Sequence, residues 1–156
     1  MLFRSSPGGS VYHGLFIYDT IQSLRCDVAT YACGLTASMG TVLLSAGSHG
    51  KRFSLPNARI LIHQTSSGFR GTAPDIEVQA RETLLLNNRL IEIMSLHTGQ
   101  PFDVVKHDTE RDKYMSAEEA KDYGLVDHVL ESPKLQALRE LRASQNGNAS
   151  PSSSDR

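Results

Sequence analysis

The run DVATYACGLTASMGTVLLSAG, residues 27–47, changes character in its middle. DVATYACG (27–34) has the apolar, β-branched content of a buried strand, whereas SMGTVLLSAG (38–47) reads as a short apolar helix starting at or just after Ser38. Small residues and one serine join them. Gly, Ala and Ser at such a junction let the backbone pass close to its neighbours, which is the plain reading. The sharper reading is a nucleophile turn, with a serine at the tip of a tight strand-to-helix bend and the following N–H groups, at Met39 and Gly40, pointing outward. Because the string differs from G-x-S-x-G, this second reading needs a base.

Working outward, helices and strands alternate. Leu2 and Phe3 end a strand that runs into a Pro-Gly turn. Val11, Leu15, Tyr18 and Ile21 recur at helical spacing, with Ser10 placed to cap them. KRFSLP and ARILIHQ form two strands around the turn at Pro56 and Asn57, and TSSGFRGTA is a mobile extended arm. Pro74 and Asp75 open a long helix to about His97, with apolar residues at Ile76, Ala80, Leu84, Leu85, Leu90, Ile91 and Met94 and with Gly99 placed to stop it. Such an arm and helix suit a projection that packs on another subunit, or equally a helix that covers its own sheet.

A short helix near Phe102 to His107 follows, then another from the capping box of Ser116 and Glu119 to Gly124, and then the strand LVDHVL. The pattern is α/β. It predicts one domain over residues 1–131, a short helix or linker over 132–143, and a disordered tail over 144–156.

The formal net charge of −1 argues against a nucleic-acid footprint or an anionic membrane surface. Cys26 and Cys33 lie among apolar residues without a C-x-x-C partner and read as buried free thiols of a reducing compartment. The sequence shows no leader peptide and no run of 18 apolar residues, so the expectation is a soluble, cytoplasmic protein. No metal site is expected, since no histidine shows H-E-x-x-H spacing.

Of the six histidines, His63 stands out at the end of the strand ARILI, where a strand delivers its last side chain to a sheet edge. A neutral imidazole with a pKa near ~6.5 is suited to take a proton from Ser38. The carboxylate that would orient it is open among Asp103, Asp108, Asp112, Asp122 and Asp127. SPGG (6–9) ahead of a helix offers N–H groups at Gly8 and Gly9 that would join that of Met39 around an oxyanion.

The fragments SPGGSV, ASMG, RILIHQ, LHTGQ, DTERD and EEAKDYGLVD, in this order from about Ser6 to Leu130, closely resemble the proteolytic subunit of the Clp ATP-dependent protease. The resemblance implies a catalytic triad of Ser38, His63 and Asp112, with oxyanion N–H groups at Gly9 and Met39. It also implies a ββα superhelix of the Clp protease and crotonase type with a projecting arm and handle helix, and two stacked heptameric rings of like or paralogous subunits. Arg111 would couple ring contact to the triad. An AAA+ unfoldase would spend ATP to deliver unfolded protein, and no cofactor would sit in this subunit.

The sequence departs from that pattern at Thr65, Ser66 and Ser67 after HQ, and at Arg4 and Ser5 before SPGG. The family's upstream segment is expected to be missing through truncation or a misplaced start. Two other readings remain, a ring subunit that does not cut and, ranked last, an acyl-CoA hydratase or isomerase.

Overall fold

A computed structural model describes the backbone of residues 2–147 and the side chains of residues 5–143. In chain order the elements are β1 (Leu2–Ser6), α1 (Val11–Ser23), β2 (Thr30–Ala37), α2 (Met39–Ser45), β3 (Arg52–Ser54) and β4 (Arg59–Ile62). They continue with α3 (Ala73–Thr98), α4 (Phe102–Thr109), β5 (Lys113–Met115), α5 (Ala117–Tyr123), β6 (His128–Val129) and α6 (Pro133–Gly147). The fold class is α/β.

One six-stranded sheet runs in the order β5-β4-β2-β3-β6, with β1 also paired to β2. Only β4 with β5 is antiparallel. β2 is the spine: Thr30–Ala32 pairs with β3 and Leu35–Ala37 with β4. The two strands around the Pro56 turn are thus joined through β2 and not as a hairpin. Helices cover the sheet, and Leu44, Ile60, Ile62, Ile91 and Leu125 are among the fully buried side chains. From α1, Tyr18 enters this core, and Val11, Leu15 and Ile21 pack against it as their spacing predicts.

The long helix is present with its stop: Gly99 takes the left-handed conformation (φ 77°) and its N–H donates to the Ser95 carbonyl. Covering of its own sheet holds for one half of this helix. Leu90, Ile91, Ile93 and Met94 are buried, so its second half covers the core, whereas Ile76, Val78, Leu84 and Leu85 stay exposed along the first half. The Ser116 and Glu119 capping box forms, and Gly124 ends α5 at φ 94°. Ser10 occupies the N-cap position of α1 but makes no side-chain cap hydrogen bond.

Several expectations are corrected. Cys26 is exposed and Cys33 half-buried, because Cys26 falls in the turn after α1 instead of on an apolar face. The spine strand starts at Thr30 and carries through to Ala37, so GLTA belongs to it. β5 was not anticipated, and β6 is only two residues long. α6 runs to Gly147 and takes in residues 144–147 of the expected tail, while 148–156 lie outside the described residues. No helix among the described residues is long and apolar enough to cross a membrane.

Candidate active site

Ser38 joins β2 to α2 with φ 56° and ψ −126°, and among the described residues no other non-glycine residue has a positive φ. Such a conformation costs about 1–3 kcal/mol and persists only where its surroundings over-determine it. Here they do. The Ser38 N–H donates to the Leu61 carbonyl at 3.1 Å, and the Ser38 carbonyl accepts from the Thr41 N–H at 2.9 Å. The buried Thr41 hydroxyl lies 3.0 Å from the Thr36 carbonyl and 2.8 Å from that of Leu61, so it bridges the bend to both flanking strands.

Small neighbours make room for the bend. A Cβ on Gly8 (φ 103°) would stand 2.5 Å from the Ser38 Cβ, and one on Gly14 of α1 would meet the Met39 side chain at 2.1 Å. The close backbone approach of the plain reading is therefore present, and the same bend sets the half-buried Ser38 at the wall of a cavity. Thr41 and Gly14 were not singled out from sequence. Gly14 was legible as the small residue between Val11 and Leu15 on the inner side of a helix.

Ser38, Met39, Gly9 and His63 line one cavity of about 320 Å³. Val42 and Ile62 supply apolar wall, and Thr83, Leu86, Leu90 and Met94 supply more from α3. Thr83 and Leu86 escaped the sequence reading, although spacings of 3, 4 and 4 residues from 83 to 94 trace one helix face. The N–H groups of Gly9 and Met39 take part in no hydrogen bond among the described residues, and both residues line this cavity.

His63 follows the last residue of β4, and the register explains its partner. Ile62 pairs with Lys113 in the antiparallel ladder, so one further step sets His63 opposite Asp112. His63 Nδ1 and Asp112 Oδ1 are 3.4 Å apart, at side-chain exposures of 30% and 59%. The other aspartates are elsewhere. Asp108 pairs with Lys113 at 2.8 Å and Asp127 with Arg52 at 2.6 Å, while Asp103 and Asp122 are exposed on α4 and α5. Ser38 and His63 share the cavity without a hydrogen bond between them. Arg111 lies exposed in the turn before β5.

The family profile described as Clp protease matches residues 1–133. The chain belongs to the Clp protease family. The match takes in every residue of the cavity and stops as α6 begins, so the Clp protease unit of this chain is the sheet and its covering helices. Membership makes the chain a relative of proteolytic subunits, hydrolases that generally assemble into rings and work with unfoldases.

Proposed function

We propose that this chain is a proteolytic subunit that hydrolyses peptide bonds of unfolded protein as a serine endopeptidase. The observation that carries the reading is the strained bend at Ser38, held open on a cavity that also contains His63. Strain of this kind concentrates at sites of function.

Ser38 Oγ attacks the peptide carbonyl and passes its proton to His63 Nε2, while Asp112 at Nδ1 keeps the imidazole in the required tautomer and supports the imidazolium. The Gly9 and Met39 N–H groups receive the oxyanion. His63 then gives the proton to the leaving amine, and water, activated by the same imidazole, hydrolyses the acyl-enzyme. Closing of the Ser38 to His63 hydrogen bond accompanies substrate binding, since catalytic hydrogen bonds are often long in unliganded enzymes.

The finer picture carries over from the family. Subunits pack into stacked heptameric rings through α3 and its arm, Arg111 links ring contact to the triad, and an AAA+ unfoldase in the cytoplasm supplies substrate at the expense of ATP. The apolar residues exposed on the first half of α3 support such packing. A ring subunit that does not cut is the second reading, favoured by the unmade bond between Ser38 and His63.

A fluorophosphonate probe followed by peptide mapping tests the proposal. Adduct on Ser38 that vanishes in His63→Ala supports the serine-peptidase reading. An unlabelled Ser38 in folded protein supports the second.

A further inference from the structure

We propose that Lys113 is a positioning residue for the active site, pinning the start of β5 to α4 and α5 so that Asp112 stays opposite His63. The inference rests on the serine-peptidase reading above.

Asp112 is exposed, and among the described residues its carboxylate has His63 as its ion-pair partner and no other. Its place therefore depends on the backbone that carries it. The next residue, Lys113, pairs with Ile62, and the alternation of a strand sends its side chain to the same side as the buried Met115, away from that of Asp112. There Lys113 Nζ lies 2.8 Å from Asp108 Oδ2 on α4 and 4.9 Å from the centre of the Tyr123 ring on α5. Burial, and then the Asp108 charge, push the Tyr123 phenol well above its ordinary pKa, so a neutral ring sits beneath the cation.

α4 also mounts the other member of the pair. The Gln64 N–H, next to His63, donates to the Thr109 carbonyl at 2.7 Å. Base and carboxylate are thus held against the same helix, His63 through Gln64 and Thr109, Asp112 through Lys113 and Asp108. Val105 and Thr109 are buried, which packs that mount into the core. An error of about 1 Å in such a constellation costs on the order of 10²-fold in rate.

The test compares the chain with its Lys113→Met, Lys113→Arg and Asp108→Asn variants. It uses kcat and KM on a short fluorogenic peptide, together with the ¹H NMR signal of the His63 Nδ1–H that faces Asp112. We expect Lys113→Met to lower kcat by about 10- to 100-fold with KM nearly unchanged. The Nδ1–H signal should be lost to exchange with water, because a displaced Asp112 no longer accepts from it. Lys113→Arg should recover most of both, and Asp108→Asn should reproduce the loss, which gives a second route if Lys113→Met does not fold.

A lower kcat in Lys113→Met with the Nδ1–H signal unchanged would mean that the lysine acts without holding Asp112, and the proposal fails. Unchanged kcat and Nδ1–H signal in Lys113→Met and Asp108→Asn also overturn it. If wild type shows no Ser38-dependent hydrolysis, the peptidase reading fails, while the Nδ1–H signal still reports whether Lys113 holds Asp112 to His63.

Discussion

Gly8 and Ser38 stand so close that a Cβ on the glycine would lie 2.5 Å from that of the serine, and Gly8 itself sits at φ 103°. Gly8→Ala therefore meets both a clash and an unfavourable backbone. We predict that the variant loses about 2–4 kcal/mol of stability in urea unfolding and most of its peptidase activity. Gly9→Ala is the useful contrast, since at φ 156° it keeps a backbone cost but no atom lies within 4 Å of its Cβ position. Its melt should suffer less.

The 3.4 Å approach of His63 to Asp112 is open to water on the aspartate side. Asp112→Asn keeps the shape but offers an amide N–H where an acceptor is needed, which favours the wrong tautomer of His63. We predict a fall in kcat of about 10²-fold with little change in KM, smaller than for a buried carboxylate because water partly replaces it. Steady-state kinetics on a short peptide measures this directly.

Arg52 and Asp127 form the main buried ion pair. Arg52 Nη2 and Nε reach the two Asp127 oxygens at 2.6 and 3.0 Å, and Nη1 donates to the carbonyls of His97 and Gly124. One side chain thereby joins β3 to the ends of α3 and α5 and to the start of β6. Side-chain exposures of 5% and 9% mean that Arg52→Met strands a buried carboxylate. The expected loss is about 3–5 kcal/mol, read by denaturant unfolding.

The same cluster sets the response to acid. Burial would raise Asp127, but its hydrogen bonds to Arg52 and the Arg52 charge hold it below the usual carboxylate range. Burial, then the Arg52 charge, lowers His97, whose Nε2 lies 3.0 Å from the Tyr18 hydroxyl. Both folded values lie below the unfolded ones, so both contributions are complete above the unfolded values and are lost as pH falls. Thermal melts should weaken first below about pH 6.5, from His97, and again below about pH 4, from Asp127. His97→Gln should flatten the first step.

The long elements were legible because several turns of helical spacing and a clear stop signal agree, as in α3 with Gly99 or α5 between Ser116 and Gly124. The strain at Ser38 was not legible, since GLTASMG suits an ordinary close-packed junction and the positive φ of the serine shows only in three dimensions. Nor was β5. Lys113–Met115 is too short to show a period, yet its register is what singles out Asp112 from five aspartates. The apolar neighbours of Cys26 misled because a turn, unlike a strand, does not carry its neighbours' burial along the chain.

The decisive experiment is hydrolysis of a short fluorogenic peptide by the purified chain and by Ser38→Ala. Short peptides need no unfoldase, so the rate reports on the cavity alone. The serine-peptidase reading predicts turnover in wild type that disappears in Ser38→Ala while the melting curve is unchanged. Equal rates in the two proteins, or no turnover from a folded and ring-assembled wild type, would contradict it.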